Sequence, residues 1–168
     1  MSRRNSPRRI ALCGVLTALM LTLGYVEHLI PVSSALPGVK LGLSNGVLIF
    51  ALYMLDTPTA FALMALKVIL SGALYAGFGA APYALCGGAL SLIVMALARR
   101  TKGVTPVTVS MLGGAAHNMG QTALAMLITR TPGLIGYMGL LMLIGLVCGL
   151  LTGVCAALVM KHLHSLRL

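Results

Sequence analysis

The sequence predicts an all-α, polytopic integral membrane protein with about six transmembrane helices in a single domain over residues 1–168. Two features of the composition support this fold class: 59% of the residues are hydrophobic and only 8% are charged, with a mean hydropathy of +1.02. A soluble domain of this length has too much surface relative to its core to bury so much apolar area. Each helical span needs about 20 apolar residues, so the chain has room for roughly six spans and no separate soluble domain.

Prolines, glycines and charged residues divide the apolar sequence into the first three spans. The first run is too long for the core of a signal peptide and is predicted to be a retained helix that ends near Pro31. A loop of two prolines, two serines and a glycine follows at residues 31–41. Pro58 suits the start of the third helix. These three spans are predicted at residues 10–30, 42–55 and 59–76.

The second half of the chain continues in the same way. A turn of small residues at 77–81 precedes the fourth span, a basic link at 99–103 precedes the fifth, and a turn at 129–133 precedes the sixth. The predicted spans are residues 82–98, 106–128 and 134–160. The last eight residues, 161–168, form a polar tail.

The basic residues orient the six predicted spans. Nine of them lie in the N-terminal segment 1–9, the 99–103 link and the 161–168 tail, whereas the opposite side carries only Lys40 and Arg130. Cytoplasmic loops of membrane proteins carry an excess of lysine and arginine. The pattern therefore predicts a multi-pass protein of the cell membrane with both termini in the cytoplasm, and it favours an even number of spans.

Several function classes are disfavoured by what the sequence lacks. The net charge of +10 does not indicate nucleic-acid binding, because the basic residues end apolar runs and no aromatic residues are interleaved with them. The two carboxylates, Glu27 and Asp56, are too few and too distant for a Mg²⁺–diphosphate site. No phosphate-binding loop or paired-cysteine motif is present. We expect no catalytic residue, no metal and no resident cofactor.

A lysine in the middle of the third span is the first candidate for ligand binding. Lys67 lies several turns from either end of the span, and Ser71 and Tyr75 follow at steps of four. A charged side chain at this depth is costly, and such residues commonly mark a functional site. Lys67 is either a hydrogen-bonding structural anchor or a cation that faces an anionic ligand.

Polar residues in the fifth span form the second candidate group. His117 and Gln121 share a helix face by their i,i+4 spacing, and Asn118 lies beside them. Unpaired polar groups are expensive in hydrocarbon, so these side chains should face the interior of the bundle. They lie at a depth similar to that of Lys67. Together these residues predict a site in which Lys67 neutralises an anion and the amides donate hydrogen bonds to it.

The entry to the second span supplies two further candidates. Lys40 and Asn45, in the segment KLGLSN, are predicted to lie at a pocket mouth with Glu27 and His28. The alternative is that Asn45 caps the junction between loop and helix.

Small residues recur at helical spacing on two spans. On the first span, Ala11, Gly14 and Ala18 are candidates for docking to another membrane subunit, because helices in lipid associate through close backbone approach. The similar stripe on the sixth span, which contains Gly145 and Gly149, is interpreted as packing inside this protein.

The segments KLGLSN at 40–45, SLIVMAL at 91–97 and GGAAHNMGQ at 113–121, with the basic residue in the middle of the third span, resemble a bacterial membrane family. It is labelled heptaprenyl diphosphate synthase component I or Gx transporter, and the resemblance covers residues 10–160. That family is similar to the substrate-binding S components of energy-coupling-factor (ECF) transporters. The resemblance implies an S-component-like bundle that docks through its first helix to a coupling subunit with ATPases. It also implies a flavin, vitamin or isoprenoid-like ligand.

The leading hypothesis is a substrate-binding membrane subunit of a transporter for a small anionic cofactor or precursor. The alternative is a non-catalytic accessory subunit in flavin- or quinone-linked electron transfer, or in prenyl diphosphate and menaquinone metabolism. An enzyme is not expected, although the family label names a synthase component, because the chain lacks aspartate-rich motifs.

Overall fold

A computed structural model describes residues 7–29 and 42–165 of the chain. Within these ranges the chain forms six α-helices and no β-strand, which confirms the predicted all-α class. In chain order the helices are α1 (Pro7–Leu29), α2 (Leu43–Met54), α3 (Thr57–Ser71), α4 (Ala81–Ala98), α5 (Pro106–Thr129) and α6 (Leu134–Ser165). The predicted loop at 31–41, which includes Lys40, lies outside the described residues.

Two helices begin where a side chain caps them and a proline follows. Asp56 precedes α3, and its Oδ1 accepts a hydrogen bond of 2.8 Å from the backbone N–H of Thr59. Thr105 precedes α5 in the same way, accepting from the N–H of Thr108 at 3.2 Å. Pro58 and Pro106 occupy the first turns, where a missing N–H leaves no bond unmade. The predicted starts of these two helices are therefore correct to within two residues.

The third predicted span is less regular than a single helix. Its last turn, Gly72–Ala76, is a π-helical turn, and a 3₁₀ turn at Phe78–Ala80 follows Gly77. Gly77 has a φ of 75°, a left-handed conformation that glycine adopts without strain. The ring of Phe78 packs on the backbone at Gly72, where an added Cβ would lie 3.3 Å from the ring carbon Cδ1. The π-helical turn thus lies directly before the connection between α3 and α4.

Helix α6 is longer than the sequence predicted. It continues through Ser165, although the polar tail was expected to begin at residue 161. The segment after Met160 contains no glycine or proline that would stop a helix, and lysine and histidine are favourable near a helix C-terminus. The start of the predicted tail is therefore an extension of the last helix.

Four segments of the described chain are long and apolar enough to cross a membrane. They are Pro7–Leu29, Thr57–Ala76, Phe78–Ala98 and Leu134–Leu163. Helix α2 is apolar but has only 12 residues, about 18 Å of rise against a hydrocarbon core of about 30 Å. Helix α5 has the length but carries the polar residues His117, Asn118 and Gln121. The predicted count of six spans therefore remains a prediction.

Glycines allow α4, α5 and α6 to pack with their backbones in close contact. Gly114 on α5 faces Gly145 on α6, and a Cβ added to either would overlap the carbonyl group of the other. Gly149 lies one turn further along the same seam, where a Cβ would be 2.5 Å from the Ser110 carbonyl oxygen. The glycine stripe of α6 is thus used inside the protein, as predicted. We call α4, α5 and α6 the glycine-packed slab.

The N-terminal half packs against this slab mainly through side chains. The largest fully buried apolar side chains come from helices in both halves, so one core joins them. They are Met20, Ile49, Leu52, Leu92, Met95 and Val109. Helix α1 is the most exposed of the crossing segments, with 17% of its apolar window buried.

Side chains from three helices meet at the end of the bundle where α1 begins. Arg9 forms an ion pair with Asp56 and also donates to the Thr59 hydroxyl. Arg99, at the end of α4, donates to the carbonyl of Leu52 in α2. Hydrogen bonds from Thr59 and the charge and hydrogen bond of Arg9 lower the pKa of the Asp56 carboxyl to about 2.

Candidate functional site

A cavity of about 210 Å³ lies between the second half of α1, the end of α3 and the start of α4. We call it the polar cavity, and the residues that characterise it are Gly24, Glu27, His28, Lys67, Ser71 and Tyr75. Three of the elements that surround it are regular helices, and the other two are the π-helical turn at Gly72–Ala76 and the 3₁₀ turn at Phe78–Ala80. Such turns occur frequently at functional sites.

Lys67 contributes the positive charge of the cavity. It is half-buried and lies ten residues after the start of α3. The ammonium group therefore belongs to a residue well inside an apolar helix. Gly24 on α1 lies beside its stem, since a Cβ there would lie 3.6 Å from the Lys67 Cε, an ordinary van der Waals contact. The same Cβ would lie 2.5 Å from the Tyr75 hydroxyl oxygen. A side chain at position 24 would therefore displace the Tyr75 hydroxyl.

Aromatic side chains cluster beside the lysine. The ring centroids of Tyr25 and Tyr75 are 5.6 Å apart with their planes at 65°, an edge-to-face pair. The His28 ring centroid lies 5.7 Å from that of Tyr75, with the planes tilted by 43°. The Tyr75 hydroxyl donates to the carbonyl of Leu21 at 3.4 Å. The four-residue spacing in the sequence placed Tyr75 on the same stripe as Lys67. It did not predict the contacts that Tyr75 makes with α1.

Glu27 places a carboxylate on the wall of the same cavity. Its Oε1 accepts a hydrogen bond of 2.8 Å from the backbone N–H of Gly42, which ties the second half of α1 to the start of α2. The sequence predicted Glu27 and His28 at one pocket mouth with Lys40 and Asn45. Glu27 and His28 line the polar cavity with Lys67, whereas Asn45 lines a different space.

A second, much smaller space lies between α2, α5 and α6. We call it the α5 cleft; its polar lining is Asn45, Ser110, His117, Asn118 and Thr152. Its volume is about 10 Å³, about the minimum that admits one water molecule. The cleft is too small for an organic ligand.

Asn118 holds α5 against α6 at the edge of this cleft. It is 2% exposed, and its Nδ2 donates a hydrogen bond of 2.7 Å to the carbonyl of Leu141. Its own backbone carbonyl accepts from the Thr122 hydroxyl at 2.8 Å. In this arrangement the Asn118 amide pairs with the protein backbone.

Gln121 faces α4 instead. It is 7% exposed, and a Cβ on Gly87 would lie 2.6 Å from its Cγ and 3.4 Å from the Cε1 of His117. The expectation that His117 and Gln121 share a helix face is therefore confirmed. The Gln121 Nε2 is buried and has no hydrogen-bond partner among the described residues.

The residues proposed from the sequence as one site are thus distributed over three places. Lys67 lines the polar cavity, Asn118 lines the α5 cleft, and Gln121 packs at the α4–α5 seam, while His117 contacts both the cleft and the seam. Similar positions along their helices did not bring them into one pocket. The described residues contain no group of three or more histidine, cysteine or acidic side chains placed to hold a metal ion.

The docking residues proposed on the first span lie on the outer surface. Ala11, Gly14 and Ala18 are all exposed, and a Cβ added to Gly14 would meet nothing within 4 Å. This surface is available to a partner helix or to lipid.

Comparison with known proteins connects the chain to one family. A family model described as heptaprenyl diphosphate synthase component I matches residues 16–159. The match includes every residue of the polar cavity and of the α5 cleft. No curated protein and no solved structure matches the chain.

Proposed function

The chain belongs to the heptaprenyl diphosphate synthase component I family, and we propose that it is a membrane subunit that binds a small anionic molecule in the polar cavity. The observation that carries this proposal is the position of Lys67, a cation in the middle of a crossing segment on the wall of a 210 Å³ cavity. An ionisable residue at such a depth is a functional-site candidate in its own right. The π-helical turn beside it supports the same site.

His117, Asn118, Gln121 and Asn45 have a supporting role in this proposal. They pack between α2, α4, α5 and α6 and so stabilise the glycine-packed slab. Helix α4 of this slab forms one wall of the polar cavity. Lys40 lies outside the described residues and is kept only as a candidate at the cavity mouth.

In this proposal, the chain is part of a transporter complex that carries the bound molecule across the membrane. Six spans with both termini in the cytoplasm would place the polar cavity toward the outer side, because it lies at the far end of α1 from the basic N-terminal segment. The exposed residues Ala11, Gly14 and Ala18 would then dock α1 to a coupling subunit with ATPases.

The direct test is native mass spectrometry of gently solubilised protein, which reports bound small molecules and partner subunits together. We expect wild type to carry a small molecule and Lys67→Ala to lose it. Lys102→Ala, which removes an exposed lysine in the α4–α5 link, is the matched control and should retain it. Equal occupancy in wild type and Lys67→Ala would overturn the site.

Docking through α1 has its own test. Gly14→Leu adds a bulky side chain into open space, so the fold should tolerate it, but a partner helix would be pushed away. Gly136→Leu on α6 is the control, because a Cβ there also meets nothing within 4 Å. Loss of co-purifying ATPases from Gly14→Leu alone supports docking through this face, whereas equal recovery from both variants contradicts it.

The family description supports a second candidate function. A protein named as component I of a synthase belongs with at least one further component. In this alternative the chain is a non-catalytic membrane accessory to a prenyl diphosphate synthase, or to a flavin- or quinone-linked electron-transfer system. Co-purification of a soluble prenyl synthase or a flavoprotein, with no ATPase, would favour it over transport.

A further inference from the structure

We propose that the polar cavity takes a small ring-bearing acid with a single negative charge. This inference rests on the proposed function, because it names the class of ligand for the same site. Three properties of the cavity lead to it: its volume, its charges and its aromatic wall.

The volume excludes large ligands. Pockets that enclose drug-sized molecules measure roughly 300–1,000 Å³, and the polar cavity measures about 210 Å³. The cavity is therefore suited to a molecule smaller than a typical drug. A three-ring flavin or a seven-unit prenyl chain is too large to be enclosed by it.

The charges exclude ligands with several negative charges. Lys67 offers one cation to a carboxylate or phosphate, but Glu27 places a carboxylate on the same wall. Among the described residues, Glu27 accepts a hydrogen bond from the backbone N–H of Gly42. Like charges within a few ångströms raise each other's energy, and most strongly where water is excluded. A diphosphate would gain Lys67 and be repelled by Glu27, whereas a monoanion can place its charge on the lysine alone.

The third property is the aromatic wall. Tyr75 and His28 both line the cavity, and the edge-to-face contact of Tyr75 with Tyr25 orients its ring. Aromatic rings prefer offset-stacked or edge-to-face partners, and such pairs add to simple apolar burial. Gly24 keeps the space in front of the Tyr75 hydroxyl open. The wall therefore favours a flat ring over a branched or extended chain.

The test is binding of a matched set of probes to the purified full-length protein, measured by isothermal titration calorimetry. The probes are benzoate, cyclohexanecarboxylate, acetate, diphosphate and riboflavin 5′-phosphate. We expect benzoate to bind most tightly, with at least tenfold weaker binding to Lys67→Ala and unchanged binding to Lys102→Ala. Cyclohexanecarboxylate has the same charge and a similar size, so its weaker binding isolates the contribution of the aromatic wall.

A second variant tests the charge argument separately. Glu27→Gln removes the negative charge while the amide oxygen can still accept from Gly42. We expect this substitution to strengthen diphosphate binding at least tenfold and to strengthen benzoate binding by a smaller factor, because benzoate carries fewer negative charges. Unchanged diphosphate binding in Glu27→Gln would contradict the role assigned to Glu27.

The outcomes separate this inference from the proposed function. Binding of riboflavin 5′-phosphate or diphosphate that depends on Lys67, and exceeds that of benzoate, overturns the ligand class but leaves the site standing. If Lys67→Ala changes the binding of no probe and native mass spectrometry finds no small molecule on wild type, both the ligand class and the site are wrong.

Discussion

Replacing Gly145 by alanine should separate α5 from α6. The added Cβ would overlap the Gly114 carbonyl oxygen and lie 2.7 Å from its carbonyl carbon and 2.8 Å from the Asn118 Nδ2. Carbon atoms in good contact are about 3.5 Å apart, so the helices must part by about 0.8 Å. The obstructing atoms belong largely to the backbone of α5 and cannot rotate away. The whole seam must therefore move.

The expected loss of stability follows from two contributions. Overpacking a tight interface costs about 1–3 kcal/mol. The shift also stretches the hydrogen bond from Asn118 to the Leu141 carbonyl, now 2.7 Å, and losing such a bond costs about 1 kcal/mol. Together they amount to about 3 kcal/mol, and the better helix propensity of alanine offsets about 1 kcal/mol of it. The net loss of about 2 kcal/mol lowers the unfolding temperature of a chain of this size by about 4–8 °C.

Thermal unfolding in detergent, followed by circular dichroism, measures this change. Gly139→Ala is the matched control, because it makes the same substitution on the same helix where a Cβ meets nothing within 4 Å. Alanine is the better helix former by about 1 kcal/mol, so the control should be unchanged or slightly more stable. Equal unfolding temperatures for the two variants would refute the close backbone contact described here.

Three further outcomes are expected. Because the folded-state pKa of Asp56 is lowered to about 2, its stabilising contribution is complete above pH ~4 and is lost as pH falls from about 4 to about 2. Wild type should therefore lose its advantage in unfolding temperature over Asp56→Asn across that range; a constant difference would contradict the ion pair with Arg9. Gly24→Ala should weaken binding of a small anion at least tenfold by calorimetry while α1 still packs, because its Cβ displaces the Tyr75 hydroxyl at the cavity wall. Gln121→Leu should be neutral or stabilising by thermal unfolding, since its Nε2 has no partner among the described residues, whereas Asn118→Leu should lose about 1–3 kcal/mol.

The helices could be predicted because local signals define them. Apolar runs of the right length lie between prolines and glycines, and Pro58 and Pro106 mark the starts of two helices that Asp56 and Thr105 cap. The π-helical turn could not be predicted, because its surroundings, such as the Phe78 ring against Gly72, come from residues outside the helix. A contact between residues in separate elements leaves no periodic trace in the sequence.

The candidate site was predicted only in part, for a geometric reason. The sequence indicates how deep a residue lies along its helix, and this identified Lys67 and His117 as buried polar residues at similar depth. The sequence does not indicate which helices are neighbours in the bundle, or which neighbour a given side chain faces. Lys67 faces α1, while Asn118 faces α6 and Gln121 faces α4. Glu27 and His28 were correctly associated with a pocket, but the pocket proved to be that of Lys67.

The glycine-packed slab also has a mechanical consequence. Helix α5 touches both α4 and α6 backbone to backbone, so sliding along either seam would cause steric clashes. Among the described residues, the hydrogen bonds that join α1 to its neighbours each include a side chain, such as Glu27 to Gly42 or Tyr75 to Leu21. The α4 wall of the polar cavity is therefore held by backbone contacts, whereas the α1 wall is held by side chains. Since side chains can change rotamer more easily than backbones can part, a widening of the cavity would begin at α1.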